Sequence, residues 1–166
     1  VPVDRDVRPV MNLIAWMDCR GGPYALQLYQ RHPTALETWV DRHGMVPLPS
    51  GNDSLSHLLY VQHECPDVYE RTYKFLEPMD FLIAKLTGTC SANLCTAFPL
   101  LLTDNRDLAS RDYDPELLRL SGVDREKLPD LLPVNAIAGT LRGELAAELN
   151  LPSNTKVFSG VNDTQA

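Results

Sequence analysis

The chain has 166 residues, of which 44% are hydrophobic, and its 22 acidic side chains outnumber its 15 basic ones to give a net charge of −7. This length is enough for one domain with a substantial core. The acidic balance argues against a general nucleic-acid binder, which needs a basic face to displace counterions from phosphates. No apolar run is long enough to span a bilayer, so we predict no membrane-spanning segment and no membrane partner.

The opening residues 1–5 show no charged segment followed by an apolar one, so we expect no signal peptide and a cytoplasmic location. The four cysteines form no C-x-x-C pair. We therefore expect reduced thiols rather than disulfides or zinc ligands. These residues are Cys19, Cys65, Cys90 and Cys95.

Helical segments dominate the chain, and most of them begin or end with a recognisable capping residue. Proline opens several of them, Asp53 and Asp114 are good N-caps, and glycine often follows the last turn. In chain order, we predict helices over Pro23–Arg31, about 36–43, Ser54–His63, Pro66–Thr72, Pro78–Leu86, Pro115–Ser121 and about 141–149, the last capped by Thr140. In the fifth helix, the spacing of Phe81, Leu82 and Leu86 predicts that these side chains face the core.

Strands are predicted mainly at the two ends of the chain. The apolar run Val10–Trp16 is one of them, and Lys156–Phe158 is the other. The stretch Thr89–Leu102 fits a strand or hairpin, and equally a short helix near 96–101. Because prolines bound Leu128–Pro133, we predict an irregular segment there.

The final segment, Phe158–Gln165, gives the strongest indication of chemistry. It has the pattern of a buried strand, a tight turn at Gly160 and the start of a helix. Asp163 then follows the carboxyl end of a strand, where α/β sheets place their ligands. A carboxylate there could take a proton from a hydroxyl that attacks phosphorus. On local sequence alone, capping of the next helix by Asn162 or Asp163 is the simpler interpretation, and the two roles are compatible.

Four stretches, in register along the whole chain, resemble the FGGY family of carbohydrate kinases, close to its xylulokinase-like members. The first is the Trp-x-Asp-x-Arg element at Trp16–Arg20, which follows the first predicted strand. The others are Lys74–Gly88, Tyr113–Pro129 and Gly139–Asp163. Three positions depart from residues that are frequent in the family, which affects the expected sugar specificity rather than the class: His57 replaces a common lysine, Tyr60 a frequent tryptophan, and Asn93 a frequent aspartate.

The resemblance implies an α/β fold, namely part of a ribonuclease-H-like (actin-like ATPase) domain that is helix-rich and has few strands. Such kinases have two domains with the substrate between them. Residues 1–166 would be an internal part of the N-terminal, sugar-binding domain. The family's Gly-Thr phosphate turn and its second, nucleotide-binding domain have no counterpart in the sequence. We therefore expect a fragment, or the ordered part of a longer protein.

The resemblance also assigns roles to single residues. It implies that Asp163 is the catalytic base, which takes the proton from a sugar hydroxyl while the γ-phosphate of ATP, bound with Mg²⁺, is transferred. Trp16 would form a wall of the sugar pocket, with a core tryptophan as the alternative. Asp18 and Arg20 would orient hydroxyls, or instead form an ion pair that shapes the turn. Asp53 would reach the pocket from its loop, unless it only caps a helix.

Three functions are open on this reading. The first is a carbohydrate kinase segment that transfers phosphate from ATP to a hydroxyl of a ketose or polyol, such as xylulose. The second is a non-catalytic fragment that lacks the ATP site and binds a sugar or a partner protein. The third is an unrelated α/β enzyme in which Asp163 is only a cap. The first implies a small sugar or polyol as the binding partner, and it leaves a homodimer open.

Overall fold

Helices form most of the regular structure, as their capping residues predict. The computed structural model describes residues 1–162. Its helices are α1 (Gly22–Arg31), α2 (Ala35–Arg42), α3 (Ser54–Glu64), α4 (Pro66–Arg71), α5 (Pro78–Thr87), α6 (Pro115–Ser121) and α7 (Gly143–Glu148), with 3-10 turns at Phe98–Leu100 and Arg125–Lys127. None of the helices in this part of the chain is long and apolar enough to cross a membrane.

The predicted aspartate caps and terminal glycines are present and explain where several helices begin and end. Asp53 accepts a hydrogen bond from the Ser56 backbone N–H at the start of α3. Asp114 caps α6 in the same way, and its carboxylate accepts from two backbone N–H groups of the first turn. Gly88 and Gly122 end α5 and α6 in the left-handed conformation that glycine adopts without steric cost.

The strands are short and pair two by two. The antiparallel pairs are β1 (Pro2–Val3) with β2 (Lys74–Phe75), and β5 (Ile137–Thr140) with β6 (Lys156–Phe158); the parallel pair is β3 (Ser91–Asn93) with β4 (Asp130–Leu132). Each pair except β5–β6 joins segments separated by more than thirty residues. The described chain is therefore a helix-rich α/β fold with few strands, as predicted.

The main core lies between α2, α3, α6 and the segment that follows β3. Trp39 on α2 is fully buried there, and its indole Nε1 donates to the Leu101 carbonyl at 2.8 Å. This bond satisfies the one polar atom of a large apolar side chain and so removes the penalty of burying it. The leucines that pack in the same cluster include Leu55, Leu58, Leu102, Leu117 and Leu128.

One predicted strand is wrong. Val10–Trp16 forms no regular strand, and only Pro9, just before it, makes an isolated bridge to Val3. A strand needs a partner for its backbone N–H and C=O groups, and no strand pairs with this run within residues 1–162. Several of its side chains, including Leu13 and Ile14, line a cavity instead.

Several predicted details also differ. Leu128–Pro133 contains β4, because its prolines flank the strand rather than interrupt it. Thr140 belongs to β5, so α7 begins only at Gly143. The strand β6 exists as predicted but is largely exposed. On α5, Leu82 points to solvent, whereas Asp80 is among the buried residues. The ambiguous stretch after Gly88 contains both a strand, β3, and a 3-10 turn.

Candidate functional site

The described chain forms a cavity of about 810 Å³. Its volume lies in the range of small-molecule sites, which are about 300–1,000 Å³. The cavity is built by segments that are far apart in sequence, including 13–16, 52–54, 75–79, 98–101 and 161–162. Its lining is mostly apolar, and the titratable side chains in the described lining are Asp53, His57 and Glu77. This combination suits a ligand with apolar faces and several hydroxyl groups.

Trp16 lies on the wall of this cavity and not in the core. Its side chain is 75% exposed, and it sits in a turn rather than at the end of a strand. The alternative of a core tryptophan is therefore wrong. An indole held on a cavity wall offers a flat apolar face and one N–H donor, which are the two features that a sugar ring can use.

Asp18 and Arg20 form an ion pair next to this turn. Arg20 donates to Asp18 Oδ2 from Nε at 2.9 Å and from Nη2 at 2.7 Å, and its guanidinium lies over the Tyr60 ring. Hydrogen bonds from Arg20 lower the pKa of Asp18 to about 2. Neither side chain lines the cavity as far as residues 1–162 define it. The pair shapes the turn that carries Trp16.

Asp53 both lines the cavity and caps α3. Its Oδ1 accepts from the Ser56 backbone N–H, and its Oδ2 accepts from the Leu48 N–H and the Ser56 hydroxyl, all at 2.8 Å. The loop before it depends on Gly51 at φ +72°, where a Cβ would lie 1.7 Å from the Gly22 nitrogen. A carboxylate has about four acceptor positions, so Asp53 keeps capacity for one further donor.

His57 is a cavity residue that sequence reasoning treated only as a departure from lysine. It is buried on α3, and its Nε2 lies 2.6 Å from the Asp18 carbonyl oxygen. Because a carbonyl can only accept, this nitrogen carries the proton and donates. The bond ties α3 to the turn after Trp16. No local signal singles out His57, because its partner is 39 residues away.

Asp80 is a second residue that the sequence did not reveal. It is 1% exposed at the start of α5, and its Oδ2 has no hydrogen-bond partner within residues 1–162. Burial raises the pKa of Asp80 to about 7; the hydrogen bond from Thr96 opposes this shift, and the neighbouring Glu77 adds to it. Burial also raises the pKa of Glu77, which lines the cavity. The only sign of a buried carboxyl in the sequence is that Asp80 stands between the apolar residues of a helix.

The predicted base, Asp163, lies outside the described residues. The chain is described as far as Asn162, which lines the same cavity as Trp16. The last described residues thus bring the backbone to the cavity one position before Asp163. Trp16, Asp53 and the last described residues thus line the same cavity. Asp18 and Arg20 lie outside its lining and form an ion pair beside it.

The comparison with protein families gives the class of this protein. The whole chain, residues 1–166, matches the N-terminal domain of the FGGY family of carbohydrate kinases. The chain belongs to this family, and its fold is part of the α/β actin-like ATPase fold that the family shares. The alternative of an unrelated α/β enzyme is thereby excluded.

Individual relatives agree with this family. The chain is 26% identical to the xylulose kinase of Lactococcus lactis over 166 residues, which covers 100% of this chain and 32% of that protein. It is 28% identical to the L-fuculokinase of Escherichia coli over 113 residues, which covers 68% of this chain and 23% of that protein. Among solved structures, it superposes on a xyloylose kinase from Brucella ovis with a TM-score of 0.81 and 26% identity, over 98% of this chain and 32% of that one. The chain spans a third or less of the length of these relatives.

Proposed function

We propose that these residues form an internal part of the N-terminal, sugar-binding domain of a two-domain kinase. This kinase transfers phosphate from ATP to a hydroxyl of a ketose or polyol. Membership of a carbohydrate kinase family supports the reaction class, and the names of relatives that act on xylulose and L-fuculose support the class of acceptor. The observation that carries the proposal is that Trp16 and Asn162, the neighbour of Asp163, line one cavity.

Asp163 is the general base in this proposal. As the sugar oxygen attacks the γ-phosphorus, its O–H bond weakens and alkoxide character develops. A carboxylate within hydrogen-bond reach accepts that proton and lowers the barrier. Most of the remaining acceleration in phosphoryl transfer comes from positioning and from neutralisation of charge. Trp16 contributes to positioning by packing against the C–H face of the sugar.

The charge of the cavity argues for a neutral acceptor. The described lining contains the carboxylates of Asp53 and Glu77 but no lysine or arginine. A sugar acid would bring its own carboxylate next to that of Asp53, with no lysine or arginine in the described lining to compensate, which costs binding energy. We therefore expect neutral ketoses and polyols to bind better than an aldonate such as gluconate.

ATP and Mg²⁺ belong to the proposal as the phosphoryl donor and its counterion. ATP would supply the transferred group, with the metal held mainly through its phosphates. Residues 1–162 contain no group of three or more histidine, cysteine, aspartate or glutamate side chains that could hold a metal ion. They do not fit a direct metal site, and none of their proposed roles depends on one.

A panel of sugars tests this proposal on the protein expressed from its complete gene. We expect ATP-dependent ADP release with at least one neutral ketose or polyol, and little with gluconate. The control without sugar measures background hydrolysis. If sugars bind but none stimulates ADP release, the alternative of a non-catalytic sugar-binding protein is correct. Preference for gluconate would contradict the argument from the cavity charge.

A further inference from the structure

We propose that Asn93 is a positioning residue for phosphoryl transfer, because its buried side-chain amide fixes the backbone that leads to Asp163. The inference rests on the proposed role of Asp163 as the base. It adds a second residue, which lies 70 positions earlier in the chain and does not line the cavity as described. Asn93 would act through the backbone and not by touching the sugar.

The side chain of Asn93 joins two segments with both ends of its amide. It is fully buried at the carboxyl end of β3. Its Nδ2 donates to the Gly160 carbonyl at 2.7 Å. Its Oδ1 accepts from the backbone N–H groups of Cys95 at 2.8 Å and Thr96 at 3.2 Å. The amide oxygen thus binds the turn after β3, and the amide nitrogen binds Gly160, near the end of the described chain.

Gly160 lies close to α5. A Cβ at this position would lie 2.3 Å from Met79 Cγ, so the Met79 side chain would have to move to accommodate a larger residue. On its N-terminal side, the Ser159 N–H donates to the Ala136 carbonyl at 2.8 Å. From Gly160, three residues of chain reach at most about 11 Å. The position of the Gly160 peptide therefore limits where the Asp163 carboxylate can be placed.

The same contact connects to the cavity wall. Thr96 lines the cavity and accepts from the Asn93 backbone N–H at 3.0 Å. Gly160 lies against Met79 of α5, which also lines the cavity. Asn93 therefore links the turn after β3, next to the cavity wall, with Gly160. A change in Asn93 should disturb the end of the chain more than the aromatic wall at Trp16.

The substitution N93S isolates the bond to Gly160. Its hydroxyl can still accept from the Cys95 and Thr96 N–H groups, but it is too short to reach the Gly160 carbonyl. A matched control is N105S. Asn105 also donates its amide to a distant backbone carbonyl, that of His43, at 2.7 Å, and its Oδ1 accepts from the Thr103 hydroxyl. Asn105 is not part of the described cavity lining.

We expect N93S, in the protein expressed from its complete gene, to lower kcat by about 10- to 100-fold, the cost of a misplaced reacting group. The sugar Kd should stay within twofold of the wild-type value. N105S should lower the melting temperature by a comparable amount and leave kcat within twofold. This split between kcat and sugar affinity distinguishes positioning of the base from a general loss of stability.

A second variant covers the case in which N93S does not fold. In N93T, the methyl group fills part of the space that the amide leaves, and the hydroxyl is again too short to reach Gly160. A kcat within twofold of the wild type in whichever variant folds, with D163N inactive, would overturn the inference and leave the proposed function intact. Normal turnover in D163N would instead overturn the proposed function, and with it the role of Asn93.

Discussion

At the scale of single residues, Trp16 has the surroundings that say most about binding. Three quarters of its side chain is exposed, although burial of an indole is strongly favourable. The turn that holds it is braced by the Arg20–Asp18 pair and by the bond from His57 to the Asp18 carbonyl. An exposed aromatic ring held in this way is available to a ligand at little cost in side-chain ordering.

Replacing Trp16 with alanine should weaken binding of the accepted sugar about two- to twelvefold, because an aromatic stacking contact contributes about 0.5–1.5 kcal/mol beyond its buried area. Calorimetric titration of the full-length protein measures this affinity. The melting temperature should change little. The control W39F removes the indole bond to Leu101 and should lower stability without altering sugar affinity. Unchanged affinity in W16A would exclude Trp16 from the binding site.

Local sequence patterns predicted some residues of the candidate site but not others. The Trp-x-Asp-x-Arg spacing pointed to Trp16, and the loop before α3 identified Asp53 as a cap, because both signals are local. His57, Asp80 and Asn93 gained their roles from partners or burial that arise only in the folded chain. No pattern in their own neighbourhoods could have distinguished them from ordinary helix or strand residues.

At the scale of elements, local chemistry predicted helices better than strands. Helices α3, α5 and α6 begin near the predicted aspartate or proline residues, because a cap acts within one turn. The strand β4 was missed and the strand at Val10–Trp16 was predicted wrongly. Strand formation depends on a partner elsewhere in the chain, and β4 owes its existence to β3, almost 40 residues earlier.

Asp114 makes the clearest prediction at this scale. Its side chain caps α6 and forms an ion pair with Arg42, whose Nη1 lies 2.7 Å from Asp114 Oδ2. This pair links α2 to α6. We expect D114A to lower the free energy of unfolding by about 2 kcal/mol or more, because it removes a cap and leaves Arg42 without its partner. The control D124A removes the exposed cap of a 3-10 turn, which accepts from the Glu126 N–H. It should cost about 1 kcal/mol or less. Equal losses in urea denaturation would mean that the Arg42 pair contributes nothing.

At the scale of the whole molecule, the cavity depends on the path of the entire chain. Residues near position 15 meet residues near positions 53, 77, 98 and 162. The sequence predicted a shared site for Trp16 and Asp163 only through family resemblance, since periodicity carries no information on such distant pairs. This chain covers 32% of the length of the xylulose kinase of Lactococcus lactis, and in the proposed two-domain kinase we expect the second domain to supply the rest of the site.

The buried carboxyl of Asp80 should make the stability of the molecule depend on pH. Its folded-state pKa is about 7, against an ordinary value of 3.8. Below pH 3.8 the group is protonated in both states and costs nothing. Between pH 3.8 and 7 the unfolded chain ionises first, so stability falls as pH rises, by up to about 1.4 kcal/mol per pH unit. D80N removes this loss and should become increasingly more stable than the wild type from pH 4 to pH 7.

Denaturation of both proteins across this pH range measures the difference. The control D67N replaces an exposed carboxylate on α4 and should leave the pH dependence unchanged. A constant difference between D80N and the wild type from pH 4 to pH 7 would mean that Asp80 ionises normally in the fold.

The central claim concerns the carboxylate of Asp163, and its most direct test is sugar-dependent ADP release by D163N in the full-length protein. We expect turnover to fall by about 10²- to 10⁴-fold, the usual cost of losing a general base. The sugar Kd should stay within twofold of the wild type, and D67N should keep full turnover. Near-normal turnover in D163N with the same sugar would contradict the account.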